Sequence, residues 1–205
     1  MADALADRLA PTGSLVHVWR IRLDETRHVP ATAGETARAS RFRFPQHAAR
    51  YLAAHVALRM ILARYTDTRL DFALREKGKP YLPMAPEVRF NLSHSNELAL
   101  VAVALDREVG VDIEKLRPLP EFAAIAERFF PPDADKPERE SDFFRCWTRV
   151  EAVLKARGVG LYSSSADPQG EWAVQEIDVG EDFAGAVAAE GSTIHVALYD
   201  YQEKL

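Results

Sequence analysis

Across 205 residues, 47% hydrophobic and 28% charged side chains describe an ordinary soluble globular chain, long enough for one sizeable core or two small ones. A formal net charge of -5 argues against nucleic-acid binding through overall basicity, and a single cysteine, Cys146, excludes intrachain disulfides and cysteine-rich zinc clusters. Met1 to Ser14 carries Asp3, Asp7 and Arg8 and no continuous apolar run, so neither a secretory signal nor a membrane span is expected, and a cytoplasmic location is.

In chain order, Leu15, His17, Trp19, Ile21 and Leu23 alternate as one face of a strand. A short helix around Glu35 to Phe42 follows, then a long one opened by Pro45 and running to Tyr65, with Tyr51, Leu52, Val56, Met60 and Ile61 at helical spacing. Between Arg27 and Arg50, five arginines (Arg27, Arg38, Arg41, Arg43, Arg50) stand against one acid, Glu35. That is a local positive field suited to a phosphorylated ligand or an acidic partner, or else a solvated helix face. Lys77-Gly78-Lys79-Pro80 reads as a turn, and Val88 to Leu92 and Leu98 to Leu105 as strands joined by the polar Ser93-His94-Ser95-Asn96-Glu97.

The order then repeats. A strand Glu108 to Glu114 precedes a short helix Glu121 to Phe130, a connection Pro131 to Glu140, a long helix Ser141 to Arg157, and strands Glu171 to Val179 and Thr193 to Tyr201. The expected fold class is α/β (α+β): a pseudo-dimer of two similar halves, each a small sheet packed with a long helix, divided near Asp106-Arg107 into residues 1–106 and 107–205. Two halves that already cover one another make a monomer the expected state.

Gly110-Val111-Asp112-Ile113-Glu114 carries the most chemistry. Side chains two apart on a strand share a face, so Asp112 and Glu114 point one way; this begins a hard-metal site or marks a solvated edge strand. On the long second helix Phe143, Phe144, Trp147, Val150 and Leu154 form an apolar stripe, with Glu151 and Lys155 one turn apart at its border. From there Glu151 can join Asp112 and Glu114 as a third oxygen ligand. Mg²⁺ accepts such a set together with the phosphates of a substrate; calcium remains open on ligand type, and zinc does not fit. Ser93 and His94 can donate to a phosphate oxygen. No Gly-x-Ser-x-Gly elbow, Walker A loop or Gly-x-Gly-x-x-Gly is present.

The set Lys77-Gly78-Lys79-Pro80-Tyr81-Leu82-Pro83, Phe90-Asn91-Leu92-Ser93-His94-Ser95, Gly110 to Glu114 and Trp147-x-x-x-Glu151-x-x-x-Lys155, in that order and at these separations, resembles the surfactin-type (Sfp-like) 4′-phosphopantetheinyl transferases from about Arg38 to Leu161. The resemblance implies a pseudo-dimer with its active site at the seam. It implies an enzyme that moves the 4′-phosphopantetheine arm of coenzyme A onto a serine of an apo acyl or peptidyl carrier protein, with Mg²⁺, releasing 3′,5′-ADP. Such carriers serve fatty-acid, polyketide or nonribosomal-peptide synthesis.

Carried over residue by residue, it makes Asp112, Glu114 and Glu151 the magnesium ligands and Lys155 a pyrophosphate contact. Lys79, Ser93 and His94 would hold the 3′-phosphate and adenosine side, and Arg38 and Arg50 would be basic coenzyme A contacts. Glu151 or a water on the metal would take the serine proton. Leu116, Phe122 and Phe129 are expected on the carrier docking face, or else in the packing of the short helix. Glu35 replaces a residue often basic in the family, and Val150 replaces its usual lysine before the helix glutamate. These two departures are the support for the alternative, a non-catalytic protein of the same fold that binds coenzyme A or a carrier.

Overall fold

The first strand, β1 (Leu15–Arg22), is apolar on both faces because each face meets a different core. Trp19 and Ile21 turn to one core, Val16 and Val18 to the other. The same split runs along β5 (Leu98–Leu105), where Ala99, Val101 and Val103 join the first core and Leu98, Leu100, Ala102 and Ala104 the second. With β4 (Val88–Ser95) and β9 (His195–Asp200), these strands form a sheet of order β4-β5-β1-β9, antiparallel except for the parallel pair β1 and β9. The computed structural model describes residues 9–25, 30–130, 136–159 and 170–202. Arg27, residues 131–135 of the expected connection and Leu161 lie outside them.

Helix α1 (Ala33–Ala39) opens with a capping box in which Thr32 accepts from the Glu35 amide and Glu35 reaches back to the Thr32 amide. Helix α2 (Pro45–Leu62) begins at a proline, which costs no helix hydrogen bond there, and buries Ala54, Ala57, Leu58, Ile61 and Leu62 against the first core. A small hairpin of β2 (Ala73–Leu74) and β3 (Pro80–Tyr81) turns through Gly78 at φ 86°, a conformation glycine adopts without strain.

The second sheet has the order β6-β8-β7, all antiparallel, from β6 (Val109–Lys115), β7 (Trp172–Glu176) and β8 (Phe183–Glu190). Val109, Val111, Ile113, Val187 and Ala189 face the first sheet. The opposite face of this sheet takes α4 (Glu140–Arg157), whose Ala152 and Ala156 meet Ala186 and Ala188 of β8. Helix α3 (Phe122–Phe129) adds an aromatic cluster with Phe143 and Phe144 of α4. The layers therefore run α2, first sheet, second sheet, α4. The orders β4-β5-β1 and β7-β8-β6 correspond strand for strand, so the two α/β halves are similarly wound.

Three expectations need correction. The strand Phe183–Glu190 was not expected, and it, not the final strand, partners β7. Its Phe-Ala-Gly-Ala-Val-Ala-Ala-Glu sequence is rich in residues of low strand propensity; small side chains are what lets α4 lie close on it. The final strand instead crosses to the first sheet beside β1. Ser93, His94 and Ser95, expected in a loop, extend β4, and the turn is reduced to Asn96 and Glu97. No helix among the described residues is long and apolar enough to cross a membrane.

Candidate active site

Side chains of β4 meet the free edge of β6 and stitch the halves together. Asn91 Oδ1 accepts from the Val111 amide at 2.9 Å, and Ser95 Oγ accepts from the Lys115 amide at 3.0 Å. Between them Ser93 Oγ donates to Asp112 Oδ1 at 2.8 Å, and Ser95 Oγ donates to Glu114 Oε2 at 3.1 Å. The polar positions of β4 thus find partners on the edge of β6, which explains why they continue a strand.

Lys155, one turn beyond Glu151 on α4, reaches the same point: its Nζ is 2.6 Å from Asp112 Oδ1 and donates to Ser93 Oγ at 2.9 Å. Gly110 permits this approach, because a Cβ there would lie 2.2 Å from both the Ala152 carbonyl oxygen and the Ala156 nitrogen. Asp112 is only 3% exposed, and its second oxygen, Oδ2, is buried with no hydrogen-bond partner. Burial, and then Asp112, push the pKa of Glu114 up. Glu151 is also raised by burial; Lys155 opposes the rise, and Asp112 and Glu114 add to it. The charge of Asp112 thus raises both glutamates, so that Glu114 and Glu151 each favour a proton or another positive charge at this point.

Among the described residues no three acidic, histidine or cysteine side chains lie close enough together to form a metal-binding group as placed. The chemistry of the donors nevertheless fits a hard divalent cation: three carboxylates, two on β6 and one on α4, one of them with an orphaned buried oxygen, and Lys155 supplying cationic charge to Asp112.

Toward the first half, His94 projects at the surface of β4. Its pKa is lowered by partial desolvation and then by neighbouring His55 and Lys155. His55 stacks near Tyr51, with ring centroids 4.0 Å apart, and its Nδ1 donates to the Tyr51 carbonyl at 2.9 Å. Arg38, exposed on α1, lies near enough to lower the pKa of both Tyr51 and His55. Arg38, His94 and Lys155 therefore border one polar surface, to which α2 contributes His55 and Tyr51. Sequence reasoning missed that pair; the signal was their i, i+4 spacing on the helix that follows the arginine cluster.

The other expected residues have partners within the chain. Arg50 grips Asp24 with two hydrogen bonds, at 2.8 and 2.7 Å. Lys79 is buried and bonded to Glu108 and to two backbone carbonyls. Glu35 is accounted for by structure, since beyond its capping role it pairs with Arg59 at 2.9 Å and binds α1 to α2. Leu116 and Phe122 are half-buried against the α3–α4 aromatic cluster, and Phe129 packs edge-on to Trp147.

The family model for the 4′-phosphopantetheinyl transferase superfamily matches residues 108–198, the segment that carries Asp112, Glu114, Glu151 and Lys155. The 4′-phosphopantetheinyl transferase HetI of Nostoc sp. is 39% identical over 165 residues, covering 71% of this chain and 70% of that protein. The 4′-phosphopantetheinyl transferase Sfp of Bacillus subtilis is 34% identical over 59% of this chain and 57% of its own length. The 4′-phosphopantetheinyl transferase AcpT of Salmonella typhi is 34% identical over 52% of this chain and 59% of its own length. With two similarly wound halves, a paired-carboxylate strand at their seam and HetI matched over most of both chains, this chain belongs to the 4′-phosphopantetheinyl transferase superfamily and is a transferase of that class.

Proposed function

We propose that the chain transfers the 4′-phosphopantetheine arm of coenzyme A to a serine hydroxyl of an apo acyl or peptidyl carrier protein, with magnesium, releasing 3′,5′-ADP. The observation that carries this reading is Asp112: one oxygen held by Ser93 and Lys155, the other buried and unpartnered, with Glu114 and Glu151 close enough for its charge to raise the proton affinity of both. Asp112, Glu114 and Glu151 would hold the ion, which when bound neutralises charge on a pyrophosphate and polarises the phosphoryl group under attack.

The rest of the chemistry belongs to the chain. The serine oxygen forms a bond to the phosphorus that carries the pantetheine, and the bond from that phosphorus to the oxygen of 3′,5′-ADP breaks. A carboxylate has two oxygens, so Glu151 can serve the ion with one and accept the serine proton with the other. Lys155 stabilises the charge that gathers on the departing phosphate. Arg38 and His94, with His55 and Tyr51 beside them, offer donors and positive charge to the 3′-phosphate and adenosine end.

For the carrier, Leu116, Arg145 and Phe183 line an open cleft of about 380 Å³ whose walls also carry Glu176, Asp178 and Glu181, and we read Leu116 and Arg145 there as carrier contacts. We place the division between the coenzyme A half and the magnesium half at residues 106 and 107, and read the protein as a monomer. Incubating the chain with coenzyme A, Mg²⁺ and purified apo acyl carrier protein, with an apo peptidyl carrier domain in parallel, should add the arm to the carrier serine, seen by intact mass and peptide mapping. No mass gain with either carrier overturns the reading. Pantetheine phosphate released without a carrier would show a phosphohydrolase instead.

A further inference from the structure

Lys79 ends the β2–β3 turn, and its side chain runs inward, leaving the residue 8% exposed. An ammonium has three N–H donors. Here they meet Glu108 Oε2 at 2.8 Å, the Val109 carbonyl at 3.0 Å and the Ala156 carbonyl at 2.7 Å. These acceptors lie just before β6, on its first residue and in the last turn of α4. The Ala156 carbonyl is one that a helix end leaves without a partner in its own ladder, and a cation there also opposes the negative end of the helix. Glu108 balances the buried charge and takes a second hydrogen bond from Arg75 at 2.7 Å.

One nitrogen thus pins two elements that carry the reactive groups. Val109 opens the strand of Asp112 and Glu114, and Ala156 directly follows Lys155 on the helix of Glu151. Gly110, between them, brings the α4 backbone so close that any slip of the helix along the strand changes the 2.6 Å contact of Lys155 with Asp112. We propose that Lys79 is a positioning residue for the transfer reaction, fixing α4 against β6, and not a contact to a phosphate of coenzyme A. This rests on the transfer reading above.

The two roles part on a substrate lacking one phosphate. Lys79→Met keeps the length of the stem and donates nothing. With apo acyl carrier protein and Mg²⁺, kcat should fall about a hundredfold with coenzyme A and equally with 3′-dephospho-coenzyme A, as expected when reacting groups lose about 1 Å of alignment. The ratio of the two KM values should stay that of wild type. A normal kcat, with KM for coenzyme A raised to that for the dephospho form, overturns the proposal.

Should Lys79→Met fail to fold, Lys79→Arg carries the test. It keeps the charge, but its planar fork cannot converge on three acceptors, so kcat should still drop with both substrates; full activity overturns the proposal. Amide hydrogen exchange of Lys79→Arg without substrate should quicken at least about tenfold in the last turn of α4, while the core amides of β1 and β5 keep their protection. Unchanged exchange there also overturns it. Because this arm needs no turnover, a wild-type protein that transferred nothing would count against the transfer reading alone.

Discussion

At Asp112 the fold carries a group that hinders its own stability: a buried carboxylate oxygen without a partner costs free energy that a satisfied one does not. Glu114 and Glu151 add to this through raised pKa values. A carboxylate with a folded pKa above its unfolded value of 4.5 binds its proton more tightly in the folded state. Its contribution to stability is therefore present at low pH and lost as pH rises through the raised value. In a metal-free buffer, Glu114→Gln should raise the unfolding midpoint at about pH 7.5 by about 2–4 °C and leave it nearly unchanged at about pH 4.5, by calorimetry. A variant less stable than wild type at the higher pH would contradict this account of the site. Such residues are legible in sequence because strand alternation fixes which side chains share a face, and Asp112 and Glu114 follow it. The partner of Ser93 was not legible: Asp112 lies on a different strand, in the other half.

Elements meet at this site by close approach of backbone, and Gly110 sets the limit. A methyl group there would strike the backbone of Ala152 and Ala156, neither of which can rotate away. Gly110→Ala should therefore cost about 3 kcal/mol of stability in urea unfolding and reduce transfer about a hundredfold. Gly185→Ala is the contrast: its added Cβ meets side chains alone, the Val179 methyls at 3.2 Å and a Leu100 methyl at 3.5 Å, and a loss under about 1.5 kcal/mol is expected. Equal losses would show that the α4–β6 contact is not the limiting one. The second long helix and the apolar strands were legible from periodicity, and the first long helix from Pro45 and the helix formers that follow it, since Met60 of its expected stripe is exposed. The strand Phe183–Glu190 was not, because alanine and glycine carry no strand preference, and its place is decided by the helix lying on it.

For the whole molecule, the corresponding strand orders of the two sheets explain why the order of elements repeats along the chain. Neither half is closed on itself. The final strand, β9, leaves the second half to run parallel to β1, and Arg107 donates to the backbone carbonyls of Gly13, Glu190 and Thr193. That interlock, contributed by residues distant in sequence, could not be read from periodicity. It holds the seam at which the polar surface of Arg38 and His94 meets the carboxylates of β6 and α4.

Transfer of the arm through the carboxylates of that seam is tested most directly by the rate at which apo carrier protein is charged. With coenzyme A and Mg²⁺, wild type should convert the carrier fully; with EDTA, or with Glu151→Gln in Mg²⁺, the rate should fall by a factor on the order of 100 or more. Charging at near wild-type rate by Glu151→Gln, or in EDTA, would contradict it.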